Sequence, residues 1–189
     1  ALATVDQVAA ERALQREMSR APEVIRKLAT SVPEEKREAV LTTAEQAWIA
    51  LENLLSELPT QLIHGDLTTD NVMRDTEGEL WVIDLGDAVT SWRIADAAIL
   101  VADVFGQTGS VAHAARAIRG FHSVVPLSES EIAAIWPMVI LRGAVLVVSG
   151  FSQQEIDPGN EYALTRMDHE WGLFEKAARL DAPAVTSQF

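Results

Sequence analysis

One stretch constrains this chain more than any other. His64-Gly65-Asp66-Leu67-Thr68-Thr69-Asp70-Asn71 is followed, twelve residues after Asn71, by Ile83-Asp84-Leu85-Gly86-Asp87. Between them, Asn71-Val72-Met73 and Leu80-Trp81-Val82-Ile83 are apolar-rich runs on either side of Asp75-Thr76-Glu77-Gly78-Glu79, whose Asp and Gly form turns. The segment therefore predicts a β-hairpin that carries Asp84 back beside the loop holding Asp66 and Asn71. A short loop and a hairpin return are what is needed to bring a proton acceptor and two oxygen ligands within a few ångströms of one another.

That arrangement points to phosphoryl transfer. In the kinase pattern a loop Asp orients the attacking hydroxyl and accepts its proton, an Asn five residues later holds a magnesium ion, and a second Asp on the following strand-turn holds the magnesium that bridges the nucleotide phosphates. Asp66, Asn71 and Asp84 occupy those places. Each has a plainer reading on its own: Asp66 as a loop cap, Asn71 as a turn residue, Asp84 as a polar strand end. Their joint spacing favours the catalytic reading. Asp87 is open between a second metal ligand and a brace for the loop. His64 is expected to be structural, tied to a backbone carbonyl.

HGD-x4-N followed by IDxGD, with Gly65 where protein kinases usually carry Arg, resembles the aminoglycoside phosphotransferase and choline kinase superfamily of small-molecule kinases. HGDLTTDNV, VIDLGDAV and the stretch from Pro126-Leu127-Ser128-Glu129 to Gly143-Ala144 look most like hydroxylysine kinase, and like the kinase domain that some bacterial proteins carry fused to a class III aminotransferase-type domain. The resemblance covers about Leu58 to Leu180. It implies an ATP-dependent phosphotransferase using Mg2+, with a small amino alcohol such as hydroxylysine as acceptor. An antibiotic kinase, or a non-catalytic kinase-like module of a larger enzyme, are the alternatives. It also implies that Asp96 ties its helix to the catalytic loop. Asp70, where relatives often carry Gly, is expected to be a solvated turn residue.

A complete member of that superfamily has an N-terminal lobe with a Gly-rich loop over the ATP phosphates and a strand Lys that pairs with them. Nothing before His64 supplies either, since the ten glycines begin at Gly65 and the first sixty residues read as helix. The expected fold is thus mainly α with a small β-hairpin: the C-terminal lobe of a protein-kinase-like α+β fold, N-lobe absent. Residues 1–58 form a helical lead-in, 59–90 the catalytic loop and metal-binding hairpin, and 91–189 a helical subdomain, together one domain. The missing lobe would lie elsewhere in a longer parent protein, and the chain by itself is expected to be inactive.

The helical expectations are specific. One helix runs from about Val5 to Met18 and another from Glu23 to Ala29. Ser31 and Glu34 form a capping-box pattern, leading into a long helix whose apolar face is Leu41, Ala44, Trp48, Leu51, Leu55 and Leu58. A short strand covers Gln61–Ile63. Ile94–Phe105 turns Ala95, Ala98, Ile99 and Ala102 inward, and Val111–Phe121 is helical. Ser128 and Glu131 form a second capping box, opening a very apolar helix to about Ser149. Its run from Ile132 to Val148 is short of the ~20 residues of a membrane span and contains Pro137 and Arg142, so a buried core helix is expected. A turn at Asp157-Pro158-Gly159-Asn160 precedes a last helix, Glu161–Leu180.

Charge and composition narrow the partners. A formal net charge of −13 disfavours nucleic acid and anionic membranes, and ATP, itself an anion, is reconciled with it through magnesium. No cysteine is present, which fits a cytoplasmic location, and Ala1–Arg20 lacks the apolar core of a signal peptide. Of the five tryptophans, one or two are candidates to line a pocket for an amine. His113, His122 and His169 share no ligand spacing, so no zinc site is expected.

Overall fold

The computed structural model describes residues 14–189, with the side chains of 162 and 163 left aside. In chain order its elements are α1 (Ala21–Leu28), α2 (Glu34–Glu52), β1 (Thr60–Ile63), β2 (Val72–Arg74), β3 (Leu80–Val82), β4 (Val89–Trp92), α3 (Ile94–Thr108), α4 (Val111–Val124), α5 (Glu129–Ile156), α6 (Glu161–Ala178) and α7 (Ala182–Thr186).

Helix α5 is the axis of the fold. Ser128 caps it through a complete capping box: its hydroxyl accepts from Glu131 N–H while the Glu131 carboxylate accepts from Ser128 N–H. From Ala134 to Val145 every residue is buried, Pro137 included. A helix apolar all round must be covered on all sides, and α1, α2, α3, α6 and α7 all pack against this one. Burying a side chain such as Leu141 contributes roughly 1.5–3 kcal/mol. By length and composition α5 alone qualifies as a membrane span among the described residues, but 78% of its most apolar window is buried in the fold, as expected of a core helix.

Two small antiparallel ladders carry the loops. β1 pairs with β4 from Thr60↔Trp92 to Ile63↔Val89, and β2 pairs with β3 from Val72↔Val82 to Arg74↔Leu80. The hairpin is therefore nested inside the β1–β4 pair. Segments 64–71 and 83–88 each have one end in each ladder, so both are held at both ends and lie side by side.

Several expectations are corrected. The first expected helix lies outside the described residues up to residue 13, and Leu14–Glu17 are not helical; a 3-10 turn, Met18–Arg20, takes their place, with the Glu17 side chain accepting from Ser19 N–H. Ser31 does not cap α2. The helix starts after Pro33, which makes Glu34 its first residue rather than its third, and the Ser31 hydroxyl donates to Glu155 instead at 2.7 Å. Small residues set the buried stripe of α2, which is Val40, Ala44, Ala47 and Leu51; Leu41 and Trp48 are half-buried beside it. Leu55 falls in a 3-10 turn beyond the helix end, and Leu58 is extended and buried. Strand β4 and helix α7 are absent from the sequence reading.

Candidate active site

The loop from His64 to Asn71 is pinned from α3. Asp96, in the first turn of that helix, accepts from His64 N–H at 2.8 Å and Gly65 N–H at 2.9 Å. Burial pushes its carboxyl above the ordinary range, against the pull of these two bonds. Two turns on, Asp103 accepts from Thr69 N–H (2.9 Å) and Thr69 Oγ1 (2.7 Å). Two carboxylates seven residues apart on one helix face thus grip both halves of the loop.

His64, 1% exposed, joins the two motifs. Its Nδ1 accepts from Asp66 N–H at 3.2 Å, which leaves Nε2 to donate to the Ile83 carbonyl at 2.8 Å. Gly65 is required by geometry: φ is +80°, and a Cβ there would lie 2.3 Å from the Asp87 carbonyl oxygen. The loops are in direct contact at this point.

Asn71, Asp84 and Asp66 line one cleft of about 310 Å³. Asn71 Nδ2 donates to the Asp66 carbonyl at 2.8 Å, which fixes the amide so that Oδ1 remains available as a ligand. Asp84 has φ 59°, the only positive φ at a non-glycine among the described residues, and its carboxylate is exposed. Backbone in that region is costly for Asp and is found where a side chain must be aimed. Asp70 also lines the cleft and is exposed; Asp87 lines a neighbouring cavity with Arg16, Leu146 and Gln153 rather than this one.

The residues fit a magnesium ion with a nucleotide. Mg2+ is typically held by one or two protein oxygens together with phosphates and water. The exposed Asp84 carboxylate with the oriented Asn71 amide matches that need, and among the described residues no three His, Asp or Glu side chains gather as a self-sufficient metal cluster.

The sequence reading did not name the cationic side of the cleft. Asp66 Oδ1 accepts from Arg142 Nη2 on α5, and Oδ2 has a longer contact to Arg16 Nη1 at 3.4 Å. Arg142 is 4% exposed. Glu170 on α6, also buried, lies 3.4 Å from Arg166, and burial pushes its carboxyl up against the pull of Arg166, Arg16 and Arg142. Gly150 makes room for it, since a Cβ there would lie 2.8 Å from Glu170 Oε2. Arg142 had a signal in the sequence: it is the one charge between Glu131 and Glu155, and a charge in an apolar core helix needs a partner. No tryptophan is among the cleft's lining residues; Trp136 is fully buried and Trp81 is 60% exposed on the hairpin, correcting the expectation of an indole wall.

Residues 1–132 match the model of the phosphotransferase enzyme family. A homoserine kinase of Zymomonas mobilis is 40% identical over 93 residues, 48% of this chain and 28% of that protein. Among solved structures, a choline/ethanolamine kinase family protein from Mesorhizobium loti matches 98% of this chain and 63% of its own at TM-score 0.64 and 15% identity. An ethanolamine kinase of Plasmodium vivax matches 91% and 49% at 0.57 and 13%. The amicoumacin kinase hAmiN, solved with AMP-PNP, Ca2+ and its antibiotic, matches 86% and 52% at 0.56 and 19%. These structures share the fold. The chain spans 28% of the length of the curated relative and about half to two thirds of that of the structures.

Proposed function

The chain belongs to the phosphotransferase enzyme family, and from that premise we propose that it is the C-terminal lobe of a small-molecule kinase, transferring the γ-phosphoryl group of ATP to a hydroxyl of a small amino alcohol such as hydroxylysine. The observation that carries this reading is the convergence of Asp66, Asn71 and a left-handed Asp84 on one cleft.

In this reading Asn71 Oδ1 and the Asp84 carboxylate hold Mg2+, which supplies positive charge to the nucleotide phosphates. Asp66 orients the acceptor hydroxyl and takes its proton. Oδ2 is the oxygen suited to that step, because Oδ1 is gripped by Arg142 whereas Oδ2 has only the long contact to Arg16. Asp96, Asp103 and His64 hold the loop in place. Glu170 offers a buried carboxylate to the acceptor's amine. The names of three relatives, kinases of homoserine, ethanolamine and choline/ethanolamine, support a hydroxyl-bearing amine as acceptor. The remainder of the phosphate cradle comes from a further lobe of the parent protein, in the cytoplasm.

A coupled ADP-release assay of the full-length protein over hydroxylysine, homoserine, ethanolamine, choline and kanamycin tests the acceptor. Fastest turnover with a small amino alcohol is expected. Preference for kanamycin would favour the antibiotic-kinase alternative, and preference for an amine-free sugar, or turnover with no member of the panel, would overturn the proposal.

A further inference from the structure

Asn71, the proposed metal ligand, ends a 3-10 turn, Thr69–Asn71, that has no buried residue; Thr69 and Asp70 are exposed and Asn71 is half-buried. Hydrogen bonds therefore hold this turn where packing does not. Its own are few: Asn71 N–H donates to the Thr68 carbonyl at 3.1 Å, and Thr68, at the N-cap, makes no side-chain capping bond among the described residues. The cap comes from another element. Asp103 on α3 accepts from both Thr69 N–H and Thr69 Oγ1. Because that hydroxyl gives its one hydrogen to a carboxylate, it accepts from Gln107, whose Nε2 lies 2.7 Å from Oγ1 and 3.1 Å from each Asp103 oxygen. Asp103 and Gln107 are one helical turn apart, and their neighbours Val101, Ala102 and Phe105 are buried in the core. The clamp ties an exposed turn to a helix that the core fixes.

We propose that the Thr69 hydroxyl, clamped between Asp103 and Gln107, is a positioning group for Asn71, so that the affinity of the site for Mg2+ is set from helix α3. The proposal rests on the kinase reading above and concerns its metal, whatever the acceptor. Asn71 is fixed at three points: Nδ2 donates to the Asp66 carbonyl at 2.8 Å, its own carbonyl accepts from Ile83 N–H at 3.0 Å next to Asp84, and its N–H closes the turn onto Thr68. The first two bonds join the two motif loops to each other. The third leads through Thr69 to α3 and so places both loops against the core. With the clamp open, the turn is free to rotate about its ends and carry Oδ1 off its line to the ion. Mg2+ demands near-ideal octahedral geometry, with ligands at about 2.0–2.1 Å, and tolerates such a displacement poorly. Asp103 also lines the cleft, but both of its oxygens are engaged in the clamp, which makes it a brace for the loop and not a ligand of the ion or the acceptor.

The test uses the full-length protein and two substitutions that leave the charge of the cleft alone, Thr69→Val and Gln107→Leu. Mg2+ is titrated calorimetrically into each protein with a non-hydrolysable ATP analogue present, and the acceptor KM is measured at saturating Mg2+. Thr69→Val is expected to weaken Mg2+ binding ~10-fold, the low end of the range for groups that orient a metal ligand, and to leave the acceptor KM unchanged. Gln107→Leu should shift Mg2+ affinity in the same direction by less, and Thr69→Ser, which keeps the hydroxyl, should match the wild type. Gln107 is exposed, so its substitution decides the matter if Thr69→Val does not fold in a thermal melt. Unchanged Mg2+ affinity in both variants, or a raised acceptor KM in place of weakened metal binding, would overturn the proposal and leave the kinase reading standing. A wild-type protein that binds nucleotide no better with Mg2+ than without it would remove both.

Discussion

At the scale of single residues, the proposed function assigns Asp66 as proton acceptor and Asn71 and Asp84 as metal ligands, and the two roles have different signatures. Asp66→Asn in the full-length protein keeps the loop contacts made by the Asp66 backbone, so nucleotide affinity is expected to stay near normal while turnover falls ~10²-fold or more. Asp84→Asn is expected to weaken Mg-dependent nucleotide binding as well, because it removes the carboxylate assigned to the ion with Asn71. Steady-state kinetics with an equilibrium nucleotide titration separates the two, and equal mild effects would count against both roles. Asp66, Asn71 and Asp84 were legible because their spacing encodes a loop and a hairpin, both local structures. Asp103, Arg142 and Glu170 come from three helices distant in sequence, and which faces of those helices meet at the loop is decided only by packing around α5.

At the scale of elements, the junction of β4, α3 and α5 depends on one buried ion pair. Arg93, just before α3, donates through Nη2 to Glu131 Oε2 at 2.7 Å, with Nε on Oε1 at 2.5 Å, and Glu131 is fully buried in the capping box of α5. Burial alone would push the Glu131 carboxyl up, but Arg93 and the Ser128 N–H overcome this and hold it below its ordinary value of 4.5. A carboxyl lowered on folding contributes stability above its unfolded pKa and loses it as pH falls through the folded one. Glu131→Gln is therefore expected to cost about 2–3 kcal/mol at pH 7, the partial exposure of Arg93 (23%) discounting the value for a fully buried pair. The gap to the wild type should narrow in acid below pH ~4.5; denaturant melts at pH 7 and pH 4 measure it, and a pH-independent gap would refute the pairing as its cause. The capping box of α5 was legible because its residues interact locally. The one at Ser31 was misleading for an equally local reason: Pro33 lies inside the box, and the helix begins after it.

At the scale of the whole molecule, the hairpin is the least covered part of an otherwise well-packed fold. Met73, Leu80, Trp81, Val82, Ile83 and Leu85 are each 40–61% exposed, on both strands and on the Asp84 loop. Met73 and Trp81, partners across the ladder, share one face of the hairpin and Leu80 and Val82 the other, and in the proposed kinase the lobe that completes the nucleotide site covers exposed apolar side chains of this hairpin. The 189-residue chain alone is accordingly expected to bind Mg-ATP weakly and to turn over negligibly; calorimetric titration checks this, and micromolar affinity would contradict the division into lobes. The exposure of the hairpin was not legible in the sequence, because it depends on how the fold packs around it.

The nesting of one ladder inside the other also sets where the gene can change length. Segments 64–71 and 83–88 are strung between paired strands at both ends, so an added or lost codon in either would slip a ladder register or drag Asp66 away from Asp84. The turn at 75–79 lies beyond the last rung, with Gly78 facing open space. An epitope or a reporter inserted there would lengthen the hairpin tip and leave the spacing between the ladders untouched, which makes that turn the natural attachment point for following this protein.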